Sequence, residues 1–65
     1  MRILANQIPR DLPSNSRITD LLMMIEAKPP YAVAVNLQFV PKTRHAEYVL
    51  HENDQVEIIA PVTGG

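Results

Sequence analysis

The residues with the most chemical potential in this 65-residue chain stand at its carboxyl end, Ala60-Pro61-Val62-Thr63-Gly64-Gly65. Both glycines of the sequence are its last two residues. Glycine has no Cβ, so a terminal Gly-Gly can enter a channel too narrow for any side chain and present its carboxylate, with little steric hindrance, to an electrophile. Pro61 lacks the backbone N–H that a sheet ladder needs, so a strand running up to Ala60 is expected to end there. Residues 61–65 then read as a flexible arm on a folded domain of residues 1–60. Taken alone, a pair of small residues at a chain end is more often a frayed terminus; the chain in front of it has to decide.

Other residue types offer less. The sequence has no cysteine, which removes disulfides, thiolate zinc sites and a cysteine nucleophile. His45 and His51, with Glu47 and Glu52 nearby, could be imagined around a metal, but metal ligands converge from closer spacing or a rigid scaffold, so solvated histidines are expected instead. Ser14 and Ser16 suit turns and helix caps, and neither sits in a nucleophile elbow. Asp54 and Glu57 could steer the chain towards a basic partner, but exposed strand and turn carboxylates are common without any such role.

Size sets the frame for that chemistry. At this length folding buries only about 60% of the unfolded surface, so the chain is one small domain with little room for a deep pocket. Apolar residues make up 46% and charged residues 20%, a globular balance. Net charge is −1, and the six Lys and Arg are scattered over positions 2 to 44, so a phosphate-binding stripe and a nucleic-acid partner are not expected. The apolar start turns polar at Asn6, and no apolar run approaches the length of a membrane span, which makes the cytoplasm the expected compartment and a membrane partner unexpected.

The elements that would hold the arm follow in order. Ile3-Leu4-Ala5 and Ile8 to Leu12 read as two strands around an Asn6-Gln7 turn, with Pro9 restricting the second to a sheet edge. Ser16 can cap a helix in which Ile18, Leu21, Leu22 and Ile25 form one apolar stripe; Met24 reaches the core edge and Met23 faces solvent. Asp20 and Lys28 suit the two ends of its dipole, and Pro29-Pro30 stops it. Ala32 to Val35 is a third strand, Asn36-Leu37-Gln38 turns into a short Phe39-Val40 strand, and Lys42 to Tyr48 is an irregular or short helical connection. Glu52-Asn53-Asp54 is turn chemistry before the last strand, Gln55 to Ala60. This gives an α+β domain, a mixed sheet of four to five strands packed on one helix. If Met1, Ile3, Val33, Val35, Val56 and Ile58 face the helix, Leu4 and Ile59 are left on the open face as a possible docking surface.

With these elements in place the chain resembles the β-grasp, ubiquitin-like superfamily and, within it, the ThiS family of sulfur carriers in thiamine biosynthesis. The resemblance rests on Met1-Arg2-Ile3-Leu4-Ala5-Asn6, on Ile18-Thr19-Asp20-Leu21-Leu22, on the block Val33-Ala34-Val35-Asn36-Leu37-Gln38-Phe39-Val40-Pro41-Lys42, on Asn53-Asp54-Gln55-Val56-Glu57-Ile58-Ile59 and on Gly64-Gly65. Leu37 stands where such proteins commonly carry glycine. The resemblance implies that the chain is not itself an enzyme and binds no cofactor. It further implies that a ThiF-like adenylating enzyme joins the Gly65 carboxylate to AMP with ATP and magnesium, and that a persulfide donor converts it to a thiocarboxylate. A ThiG-like thiazole synthase then takes the sulfur. Gly65 would carry the chemistry, Gly64 would allow entry, and Pro61, Val62 and Thr63 would complete the segment entering partner sites. The tail also resembles that of the MoaD-like small subunit of molybdopterin synthase, an alternative with the same terminal chemistry.

Overall fold

The computed structural model describes residues 1–60. Among these residues five strands and one α-helix follow one another: β1 (Arg2–Ala5), β2 (Ile8–Asp11), α1 (Ile18–Met24), β3 (Ala32–Val35), β4 (Gln38–Val40) and β5 (Gln55–Ile59), with a 3-10 turn at Lys42–Arg44 before β5. They form one mixed sheet in the order β2-β1-β5-β3-β4. The last strand in sequence is therefore central in space. β1 and β5 run parallel, while β1–β2, β3–β4 and β3–β5 are antiparallel. Pro9 does lie on an edge strand, where its missing N–H costs the ladder nothing.

One face of the sheet and the apolar stripe of α1 make the core. Ile3, Ala5, Val33, Val35, Val40 and Val56 pack from the strands against Ile18, Leu21 and Leu22, with Leu12 and Leu50 closing the ends; Met1, Ile25 and Ile58 pack partly buried beside them. Each large apolar side chain removed from water contributes about 1.5–3 kcal/mol, which is why period two in the strands and 3.6 in the helix converge on one interior.

Both ends of α1 differ from expectation. The residue at the N-cap position is Arg17, not Ser16, and its backbone N–H donates to Asp20 Oδ2 at 2.8 Å. Ser16 is buried and its hydroxyl donates to the Pro13 carbonyl at 2.7 Å, so it closes the preceding turn. The free N–H groups of the first helical turn instead find carbonyls of the 45–48 segment, Ile18 N–H to Tyr48 at 3.1 Å and Thr19 N–H to His45 at 3.4 Å.

At the other end α1 stops at Met24, well before Pro29. Glu26 takes φ 56°, Ala27 N–H reaches back to the Leu22 carbonyl at 2.9 Å and Glu26 N–H to Met23 at 3.1 Å. This is a Schellman closure made without glycine. Lys28 consequently lies outside the helix, and no basic residue occupies its last turn.

Candidate functional site

Gly65 and the segment Pro61, Val62, Thr63 and Gly64 lie outside the described residues, as does the expected arm of residues 61–65. What is described is the platform from which that segment continues, the end of β5 at Ile59 with Ala60 after it.

Two hairpin turns hold β5. At Asn6-Gln7 φ is 51° and 68°, and at Asn36-Leu37 it is 51° and 70°, so each turn has two consecutive residues in the left-handed region, as type I′ hairpins require. Leu37 thus adopts the conformation for which glycine is preferred. The asparagine of each turn also reaches β5. Asn6 Oδ1 accepts from Ile58 N–H at 2.8 Å, and its Nδ2 donates to the Ile58 carbonyl at 3.2 Å. Asn36 Oδ1 accepts from Gln55 N–H at 3.0 Å while its Nδ2 donates to Asp54 Oδ1 at 3.0 Å. The other Asp54 oxygen accepts from His51 N–H at 2.8 Å, so the turn leading into β5 and the β3–β4 hairpin share one carboxylate.

Leu4 and Ile59 both point away from the helix, as the alternation requires. They are not neighbours, however. Leu4 is opposite Gln55 on β5 and opposite Pro9 on β2, and is half-buried; Ile59 is opposite Ala32 on β3 and 54% exposed. Along β5 their levels differ by the length from Gln55 to Ile59, roughly 13 Å at the usual strand rise. Ile59 shares the open face with Ala32, Ala34 and Phe39, the last opposite Ala34 and 67% exposed. Phe39 could have been placed there from sequence, because its neighbour Val40 is a core residue and successive strand residues face opposite ways.

Charge on the open face is sparse. Arg2 and Asp11 pair across β1 and β2, Nε to Oδ1 at 3.2 Å; the hydrogen bond from Arg2, and then its charge, hold the exposed Asp11 carboxyl below the usual carboxylate range. Glu57 sits opposite Ala34. An open depression of ≈ 480 Å³ lies between β4 and the 41–48 segment, lined by Phe39, Arg44, Glu47 and Tyr48 among others, two strands from the exit of β5.

His45 is buried, contrary to the expectation of a solvated side chain. Its Nε2 lies 3.0 Å from the Val40 carbonyl and its ring stacks on Tyr31 at 6.3 Å between centroids. With its own carbonyl accepting from Thr19, it ties β4 to the start of α1. His51 is exposed, and the described residues contain no group of three or more His, Cys, Asp or Glu placed to hold a metal ion.

A single helix laid on a five-stranded mixed sheet, with the carboxyl-terminal strand parallel to the first and central between two hairpins, defines a β-grasp domain of the ubiquitin-like kind. The sequence narrows this further. The ThiS family model matches residues 2–65, and the chain belongs to the ThiS family. Among solved structures, the thiamine biosynthesis protein ThiS from Geobacter metallireducens superposes with a TM-score of 0.84 at 19% identity, covering 100% of both chains, which is agreement of fold. A search of the curated proteins finds no match. Membership supports a sulfur-carrier role in thiamine biosynthesis, with enzymes of that process as partners. No helix among the described residues is long and apolar enough to cross a membrane.

Proposed function

We propose that the chain carries sulfur as a thiocarboxylate on Gly65 and delivers it for thiazole formation. The observation that carries this reading is the extent of the family match, which runs through Gly64 and Gly65 to the last residue. A carboxylate is a poor acyl donor near neutral pH. Transfer of AMP from ATP to the Gly65 carboxylate, with release of pyrophosphate at a ThiF-like enzyme using magnesium, supplies a leaving group. The terminal sulfur of a persulfide then attacks the carbonyl carbon, the C–O bond to AMP breaks, and an acyl disulfide forms. A second thiol attacks the disulfide and releases the thiocarboxylate, its own sulfur becoming oxidised. Thiazole synthase is the acceptor in this reading.

The chain's own contribution is placement. A small rigid domain carries one reactive atom to successive active sites, and Gly64 and Gly65 add no side chain at the point of entry. Leu4 and Ile59, joined by Phe39, belong to the face that would meet those enzymes, Ile59 and Phe39 as its exposed apolar end and Leu4 as its far border. Membership of the ThiS family favours thiazole synthase over the molybdopterin-synthase alternative.

The test is to delete Gly65, or add one residue after it, and measure adenylation by ATP–pyrophosphate exchange. Both changes are expected to abolish exchange with the melting temperature unchanged; exchange that survives a blocked terminus rules the reading out. Co-purification with thiazole synthase, rather than with a molybdopterin-synthase large subunit, is expected from cells. Ile59→Asp is expected to weaken association with the activating enzyme without lowering stability, and unchanged binding removes Ile59 from the docking face.

A further inference from the structure

The parallel pairing of β1 with β5 is short: Leu4 opposite Gln55 and Ala5 opposite Val56. Beyond Ala5 the chain turns away through Asn6 and Gln7 into β2, so β5 continues towards Ala60 with no β1 residue left to pair beside Ile58. The Asn6 side chain fills that place. Its backbone N–H donates to the Val56 carbonyl at 2.9 Å, and its amide then both accepts from and donates to Ile58, at 2.8 and 3.2 Å. A carboxamide carries an acceptor and a donor in one plane, as a peptide group does, so it extends the ladder by one step.

We infer that Asn6 is a positioning residue for the reaction at Gly65: by taking both backbone groups of Ile58 it holds the β1 side of β5 at the exit, while β3 holds the other side through Ile59, and together they set where the strand ends. This rests on the reading of Gly65 as the activated terminus. A tethered carboxylate reacts only where its carbonyl carbon meets the attacking or attacked group. Misplacement by about 1 Å at a remote site can cost on the order of a hundredfold in rate. Asn6 is exposed and fills no space in the core, so packing does not require its amide. The left-handed turn conformation does not require it either, since glycine satisfies that equally.

The molecule contains its own control. Asn36 occupies the same position in a turn of the same type and also holds β5, but at Gln55, where the strand enters the sheet. Asn6→Gly and Asn36→Gly keep the turn conformation and remove the amides. In the full-length chain, with ATP–pyrophosphate exchange by the activating enzyme as the assay, Asn6→Gly is expected to lower kcat at least about tenfold with KM within about twofold. Asn36→Gly should leave both constants within about twofold of the unaltered chain, although the two variants lose similar thermal stability. Hydrogen exchange at the Ile58 amide should accelerate in Asn6→Gly alone.

Equal kcat for the two glycine variants overturns the inference, as does a loss confined to KM. Asn6→Asp keeps the acceptor for Ile58 N–H and tolerates the turn conformation but sets a carboxylate oxygen against the Ile58 carbonyl, so its kcat should also fall below that of the unaltered chain. Should Asn6→Gly fail to fold, an unchanged kcat in Asn6→Asp overturns the proposal instead. Deleting Gly65 separates the two levels. If exchange survives that deletion, the reading of the terminus fails; if exchange is lost but the glycine variants behave alike, only the role of Asn6 fails.

Discussion

The two hairpin turns of this domain use one backbone solution for two mechanical tasks. Each places asparagine and then a non-glycine residue in the left-handed region, Asn6-Gln7 at one and Asn36-Leu37 at the other. Each asparagine side chain crosses to β5. Asn36 binds at the start of that strand and shares Asp54 with the turn at His51, so its bonds belong to a network of side chains; Asn6 binds only backbone, at Ile58, near the exit. The strand is thus secured at its entrance by a carboxylate-centred cluster and, on the side of β1, where its ladder spans two residue pairs, at its exit by a single amide, while β3 pairs along its other side. At its exit the strand is held from one side by the β3 ladder, which runs to Ile59, and from the other, where β1 has turned away, by the Asn6 side chain.

The largest stability effects should come from removing the amides while also disfavouring the turn. Asn6→Ala and Asn36→Ala each lose two hydrogen bonds at about 1 kcal/mol and replace a residue whose polar side chain suits left-handed backbone by one that does not, at about 1–2 kcal/mol, so each should cost roughly 3–4 kcal/mol in urea unfolding. The two asparagines bond to different residues, so the double variant should be additive within about 0.5 kcal/mol. A larger coupling would mean that entrance and exit are one unit.

Asp54→Ala sharpens the contrast at the next level, about 1–2 kcal/mol through the loss of its bonds to Asn36 and His51. A double-mutant cycle should find it coupled to Asn36→Ala by at least about 0.5 kcal/mol and uncoupled from Asn6→Ala. Coupling to Asn6 instead would break the division between network and lone amide.

Smaller still, and of opposite sign, are Leu37→Gly and Gln7→Gly. Removing the Cβ relieves left-handed strain of about 1–2 kcal/mol but raises unfolded-chain entropy by about 0.5–1 kcal/mol, so each should stabilise by roughly 0.5–1 kcal/mol. A clear difference between them would show that Leu37, 85% exposed, gains something from its neighbours that Gln7 does not.

The smallest effect concerns pH. The Asp11 carboxyl is held low by Arg2, so its contribution is present above the unfolded value and disappears as pH falls through the lower, folded one. Both side chains are largely exposed, and solvent screening keeps the gain small. Asp11→Asn should therefore leave stability at neutral pH nearly unchanged and remove a slight loss in the acid range; a large loss at neutral pH contradicts this.

Most of the frame was legible because it follows from local periods. Alternation in Ala32 to Val35 and Gln55 to Ile59, and the spacing of Ile18, Leu21 and Leu22, fix which faces are apolar whatever the neighbours are. The errors share another cause. Ser16 looked like a cap, yet the carbonyls that satisfy the helix start come from Tyr48 and His45, far along the chain; His45 looked solvated because the burial depends on Tyr31 and Val40. The helix end at Met24 is set by left-handed Glu26, a residue that is not glycine, and the proline signal outweighed it in the sequence. Leu4 and Ile59 were correctly turned outward, but their separation is set by the register of β1 on β5, a relation no single strand's pattern contains. Asn6 was recognisable as a turn residue, whereas its grip on Ile58 spans most of the chain.

The most direct measurement is the intact mass of the full-length protein after incubation with the activating enzyme, ATP, magnesium, a persulfide donor and a thiol, followed by fragmentation to locate any change. The account predicts replacement of one oxygen by one sulfur at Gly65 and nowhere else. An unmodified Gly65 carboxylate under conditions in which the same enzyme loads another member of the family, or sulfur found on a different residue, would contradict it.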